Sequence, residues 1–246
     1  MRAHSLVLAL AAATAIRPAA AQSRDDVIAF QALVSTPVGA LPPMATRTMI
    51  GTMQQGASIA VRYGYLGAVP GNGSSGNNFA ATVILPAGLG SSLSLTAGAV
   101  SQYCGSRAGC GSKLMLGGAG DMRLWSSAMD RTAASPKLTV SLTGELGYAQ
   151  RSPGSFISGY VGVPVALVGD TRPNRGLQLV GFLTPGFGFA NITGAGAANG
   201  SGSRYMLGGG VGMFNTASSV MVDAGFQYVG IDNGKTLFGI GVILGR

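Results

Sequence analysis

The stretch Lys137–Gln150, KLTVSLTGELGYAQ, decides the fold because it alternates between two kinds of residue over its whole length. The apolar parity carries Leu138, Val140, Leu142, Leu146 and Tyr148, and the other carries Thr139, Ser141, Thr143, Glu145 and Gly147. A period of two predicts a β-strand with two different faces. The stretch is longer than the usual strand of a soluble sheet, and it is long enough to cross a membrane, which takes about 9–11 residues.

Nine further segments alternate in the same way between residue 57 and the C-terminus. They lie near 57–67, 78–86, 92–103, 113–125, 156–168, 176–190, 204–214, 219–229 and 236–245. The sequence therefore predicts an all-β protein, an up-and-down antiparallel transmembrane barrel over residues 57–246. Ten strands are expected, with eight or twelve as alternatives.

Alternation alone does not distinguish a membrane barrel from a soluble one, but three other features favour the membrane. The polar parity is Gly, Ser, Thr and Ala with few charges, which suits a lumen better than open water. The longer connections, AVPGNGSSGNN, CGSRAGCGS and NITGAGAANGSGS, lie at one end of the predicted barrel, as the outer loops of bacterial barrels do. Aromatic residues of the apolar parity lie at that same end, as in an interfacial girdle: Tyr63, Tyr65, Phe79, Tyr103, Tyr148, Phe189, Tyr205 and Tyr228.

The run SRYMLGGGVGMF, Ser203–Phe214, has four glycines in five residues but does not fit a phosphate-binding loop, which opens a helix. As a strand, it places Gly208, Gly210 and Gly212 on the lumen parity and Gly209 on the lipid parity. Glycine facing a narrow lumen leaves room for neighbouring groups or lets the strand bend.

Residues 57–246 resemble the small outer-membrane β-barrel proteins of Gram-negative bacteria, through KLTVSLTGELGYAQ, SRYMLGGGVGMF, VMVDAGFQYVGI and TLFGIGVILGR. The resemblance implies outer-membrane lipid and the barrel-assembly machinery as partners. That machinery reads a terminal aromatic residue in the family, whereas this chain ends on Arg246. The resemblance names no activity.

The N-terminus, MRAHSLVLALAAATAIRPAAAQ, predicts a signal peptide over residues 1–21, and residues 22–56 are expected to be a linker or a periplasmic or plug segment. Cleavage would remove Arg2 and Arg17 from 16 basic residues, leaving 14 against 8 acidic ones, a net charge of +6. No run of Lys or Arg occurs, so nucleic-acid binding is not expected.

The lumen parity carries a small set of charged and amide side chains: Arg62, Asp121, Arg123, Glu145, Gln178, Asp223 and Gln227. They are interpreted as an interior network that fills a narrow barrel, or alternatively as a charged constriction that filters solutes. Arg123 is expected to point inward and meet Glu145, Asp121 or Asp223.

Cys104 and Cys110 flank GSRAG in a predicted outer loop and are expected to form a disulfide. The single His, His4, lies in the predicted signal peptide, and there is no Gly-x-Ser-x-Gly motif, so no enzyme, metal or cofactor is expected. The functional prediction is an outer-membrane barrel with a structural or narrow-pore role. The alternatives are a soluble exported barrel that binds an apolar ligand and, more weakly, an outer-membrane enzyme.

Overall fold

The computed structural model describes residues 24–46, 56–67, 75–88, 90–101, 112–127, 136–150, 154–172, 176–194, 199–230 and 235–245. Two helices come first: α1 (Arg24–Ser35) and α2 (Pro37–Ala40). The strands are β1 (Ser58–Leu66), β2 (Gly76–Pro86), β3 (Ser91–Ser101), β4 (Ser112–Ser126), β5 (Lys137–Gln150), β6 (Ser155–Gly162), β7 (Val165–Arg172), β8 (Leu177–Thr193), β9 (Gly200–Asn215), β10 (Val220–Val229) and β11 (Lys235–Gly245).

The sheet closes on itself, because β1 pairs with both β2 and β11, and all pairings are antiparallel between neighbours. Strands β6 and β7 both lie between β5 and β8 and keep one register with each of them, so they are two halves of one barrel strand. The structure is thus a ten-stranded up-and-down barrel, as the alternation predicted, with its sixth strand interrupted.

Prolines explain the interruption between β6 and β7. Pro164 accepts a hydrogen bond from the Ser141 amide at 2.9 Å but has no N–H to return, and Pro185 likewise only accepts from Val163, at 2.9 Å. Each proline therefore removes one ladder hydrogen bond. Tyr160 points into the barrel beside the break, and its hydroxyl donates to the Thr184 carbonyl at 2.9 Å.

The two faces of the strands differ as the sequence predicts. Large apolar side chains stay exposed on the outside, with Leu95 at 68% and Ile240 at 61%, while their neighbours along the strand point inward. Leu142 and Val222 are exposed as expected, and Val140 is half-buried. An apolar exterior of this extent is suited to lipid, which favours the membrane barrel over the soluble alternative.

Neither of the two helices described is long and apolar enough to cross a membrane.

The barrel has a loop end and a turn end. The turn end holds tight connections such as Ala87–Ser91 and Thr216–Ser219 and also the paired strand termini Ser58 and Gly245. The opposite end, where β1 and β10 finish, is the loop end. Of the eight predicted girdle residues, seven lie on the outward face towards the loop end, and Tyr205 packs edge-on against Phe187; Tyr103 lies outside the described residues.

Two sequence predictions also fall outside the described residues. These are the signal peptide at 1–21 and the Cys104–Cys110 disulfide, which therefore stay predictions.

Candidate lumen site

The lumen of the barrel is occupied by the chain's own N-terminal segment, Arg24–Thr46. Phe30, Leu33 and Val34 of α1 are buried in one apolar cluster with inward-facing side chains of the barrel. The barrel members of that cluster lie mostly at the loop end, and they include Leu66, Val100, Ala149, Phe156, Ile192, Val229 and Leu237. The loop-end half of the lumen is therefore filled by a helix.

Below α1 the segment turns at Thr36, whose hydroxyl donates to the Leu33 carbonyl at 3.1 Å and lies 2.5 Å from the Ser158 hydroxyl. Pro37, the first residue of α2, is accommodated because the barrel has Gly117 and Gly147 there. A Cβ on either glycine would lie 3.0–3.2 Å from the proline ring. The absence of side chains at these two glycines therefore leaves room for the turn at Thr36 and Pro37.

Barrel side chains also bind the main chain of the segment. Asn78 donates to the Ala40 carbonyl at 2.9 Å, and Gln227 donates to the Val38 carbonyl at 3.1 Å. Both residues are buried. Because amide groups buried without partners are costly, these bonds fix the height of α2 in the lumen.

The tail Leu41–Thr46 packs against one side of the lumen, which we call the glycine wall: Gly208, Gly225, Gly239 and Gly241 of strands β9 to β11. A Cβ on Gly239 would lie 2.7 Å from Cγ of Pro42, and one on Gly208 would collide with Pro43. Asp223, buried on the same wall, accepts a hydrogen bond from the Ala45 amide at 3.2 Å. The glycine-rich run of β9 therefore belongs to a peptide-packing surface.

The opposite side of the lumen, which we call the polar wall, consists of Arg62, Thr82, Thr96, Asp121, Thr143 and Glu145 on β1 to β5. Arg62 donates to the hydroxyls of Thr82 at 3.2 Å and Thr96 at 3.3 Å, and these two hydroxyls lie 2.9 Å apart. Asp121 accepts from Ser92 at 3.4 Å. This wall is hydrogen-bonded within itself.

Arg62 is the cation at the centre of the interior charges. It interacts electrostatically with Glu145, Asp223 and Asp121, in decreasing order. Among the described residues no direct ion pair joins Arg62 to any of the three carboxylates, so the interaction acts across a gap. One guanidinium therefore faces three carboxylates, which leaves an excess of acidic groups in this part of the lumen.

The gap is a cavity of about 50 Å³ between the tail and the polar wall. Pro43 and Met44 line it on one side, and Arg62 and Glu145 line it on the other. Thr184, only 2% exposed, also lines it, and its hydroxyl has no hydrogen-bond partner among the described residues. Since a water needs roughly 10–15 Å³, the cavity has room for a few waters.

The predicted network is thus only partly brought together. Asp121, Glu145 and Asp223 surround Arg62, and Gln227 holds the segment, whereas Gln178 is half-buried at the turn end and its Oε1 has no partner among the described residues. Arg123 is on the inward parity, between the exposed Met122 and Leu124, but within the described part of the chain it forms no ion pair with Glu145, Asp121 or Asp223. Its guanidinium lies against Gly90 in the turn between β2 and β3, about 3.1 Å from the position of a Cβ there. A register shift between Arg123 and Trp125 accompanies this placement.

Several functional residues were not found from the sequence, namely Thr36, Pro37, Asn78 and the tail prolines. A usable signal exists in VIAFQALV, residues 27–34, which is apolar except for Gln31, because a helix that is apolar over most of its circumference is expected to be buried. Within the described residues, no group of three or more His, Cys, Asp or Glu is placed to hold a metal ion.

No family model and no curated protein matches the chain. Among solved structures it is similar to Ail, the attachment invasion locus protein of Yersinia pestis, crystallised with the heparin analogue sucrose octasulfate. The identity is 15% and the TM-score 0.34, over 78% of this chain and 97% of Ail. It is also similar to the COG4313 outer membrane channel from Pseudomonas putida F1, at 14% identity and a TM-score of 0.42, over 79% of this chain and 97% of the channel.

At these values the likeness carries no argument, and the assignment depends on the chain's own geometry. A closed antiparallel barrel has no unpaired sheet edge, which is what a membrane-spanning sheet requires. The apolar exterior and the division into a loop end and a turn end are those of bacterial outer-membrane barrels. The chain is a closed ten-stranded up-and-down β-barrel, and its exterior is that of a transmembrane barrel.

Proposed function

We propose that the protein is a narrow pore of the outer membrane that its own N-terminal segment, Arg24–Thr46, holds closed. The observation that carries the proposal is the occupied lumen: the segment fills it from the loop end downward and leaves a cavity of about 50 Å³ beside the tail. Membrane lipid is the partner of the outer face, and the barrel-assembly machinery acts during insertion.

A pore role is favoured over a purely structural one by the chemistry of the polar wall. A lumen that never opened would be more stable if lined with apolar side chains, because buried charges are costly to desolvate. Here Arg62, Asp121 and Glu145 face a cavity. Once the tail has left, they would line a hydrated passage with an excess of carboxylates, which favours cations. No catalytic role is included, because the chain has no His beyond His4.

The experiment compares the full chain with a variant that lacks residues 24–46, both reconstituted in planar bilayers. Heat-dependent migration in gel electrophoresis first establishes that each barrel is folded. We expect almost no conductance from the full chain and stable cation-preferring channels from the shortened one. Two folded barrels that both fail to conduct would contradict the pore role and leave a structural one.

A further inference from the structure

The N-terminal segment has a direction inside the barrel. Its helical part, α1, is buried with residues at the loop ends of the strands, such as Leu66 and Ile192. A second apolar cluster lies towards the turn end, and the only residues that the segment contributes to it are Met44 and Ala45. The earlier residues of the segment therefore lie at the loop end and the later ones lie towards the turn end.

Contacts along the segment support the same order. Leu33 packs at Gly188, five residues before the loop end of β8. Pro42 packs at Gly239, in the middle of β11, and the Ala45 amide reaches Asp223, in the turn-end half of β10. The chain thus descends through the lumen between Leu33 and Ala45, and β1 then begins at the turn end with Ser58.

We infer that the segment threads the lumen from the loop end to the turn end, so that the start of α1 at Arg24 is directed at the outer surface of the cell. The loop end faces the exterior because outer-membrane barrels keep their short turns in the periplasm. The helix is about 18 Å long at 1.5 Å per residue, and with Leu33 already in the loop-end half, its start is carried towards the outer mouth. The two ends of the described chain therefore lie on opposite sides of the barrel, because Gly245 ends β11 at the turn end.

The test places one short epitope between Gln22 and Ser23 in the full-length chain and, as the matched control, the same epitope after Arg246. Antibody is added to intact cells and to cells with a permeabilised outer membrane. We expect the N-terminal epitope to be stained on intact cells and the C-terminal epitope only after permeabilisation. Staining of the N-terminal epitope only after permeabilisation would overturn the inference.

A single cysteine is a smaller label than the epitope and is less able to disturb folding. Ser23→Cys, in a chain that also carries Cys104→Ser and Cys110→Ser, is exposed to a membrane-impermeant maleimide on intact cells. Labelling there supports the threaded topology, and labelling only after permeabilisation refutes it. Both measurements report the side of the membrane on which the N-terminal label lies, and neither depends on conductance. A barrel that never conducts could therefore still show the threaded topology. A conducting barrel with a periplasmic N-terminus would contradict it.

Discussion

The two walls that enclose the tail Leu41–Thr46 meet it in different ways. On the glycine wall the tail lies directly on backbone, because a Cβ at Gly208 or Gly239 would overlap a proline ring. On the polar wall Arg62 and Glu145 face the tail across a cavity. The first wall fixes the tail by shape, and the second is separated from Pro43 and Met44 of the tail by the cavity. Closure is therefore held mainly by one half of the barrel, and the other half supplies the surface of a passage.

The substitutions with the largest expected effect test whether the two walls differ only on their lumen faces or on their lipid faces as well. Ile240 of β11 and Leu95 of β3 lie at mid-strand on the outer faces of the glycine wall and the polar wall, and both are exposed. Replacing either by Arg puts a charge in lipid and should cost about 2–4 kcal/mol at mid-membrane. Unfolding in urea from lipid vesicles measures the loss. Clearly unequal losses would show that the walls differ on their outer faces too.

Overfilling the glycine wall should have the next largest effect. Gly208→Val directs its new methyl groups at Pro43, which supplies all the nearest atoms at that position. Overpacking of this kind costs about 1–3 kcal/mol, and we expect the tail to yield because it is held at the wall by few bonds. Single-channel recording should then show openings that are rare in the full chain.

The matched control for that substitution is Gly181→Val on the neighbouring strand β8, where an added Cβ has nothing within 4 Å. It should leave the recordings unchanged. Equal behaviour of the two variants would mean that packing at Pro43 does not keep the barrel closed.

The barrel itself could be predicted from the sequence because each strand repeats one local rule. Inward and outward residues alternate, so Val222 and Ile240 could be assigned to lipid and Asp223 to the lumen without knowing the register. Gly208, Gly210 and Gly212 of β9 could be assigned to the lumen for the same reason. The alternation does not predict the interruption of the sixth barrel strand at Pro164, although a proline within a strand is a known cause of such an interruption.

What fills the lumen could not be predicted in the same way. The contact between Pro43 and Gly208 joins residues far apart in sequence, and no periodicity links them. The expected pairing of Arg123 with Glu145, Asp121 or Asp223 is not seen among the described residues for a related reason. Alternation gives the face of a residue but not its height in the barrel, and Arg123 lies at the turn while Arg62 lies among the carboxylates.

A smaller effect is expected from the two amides that bind α2. Asn78→Ala and Gln227→Ala each remove a hydrogen bond to a carbonyl of the segment, and each should weaken closure by about 0.5–1.5 kcal/mol. Because the bonds go to different carbonyls of one short helix, the double variant should lose more than either single one. The readout is the rate at which protease cleaves the segment in the detergent-solubilised barrel. Cleavage no faster than in the unaltered protein would show that α2 is held by packing alone.

The smallest effect on closure should come from the polar wall. Glu145 lines the cavity, and Arg62 keeps Asp121 and Asp223 nearby when Glu145 becomes neutral. Because Glu145→Gln replaces the carboxylate with a neutral group of the same shape, it should change the free energy of unfolding little and leave the closed state closed. Its consequence should appear only after the tail has been displaced. In a Gly208→Val background, removing one of three carboxylates should reduce the preference for cations, which the reversal potential under a salt gradient measures. If the reversal potential does not change in barrels that do open, the polar wall does not line the permeation path. Its charged side chains would then only fill the interior of the barrel.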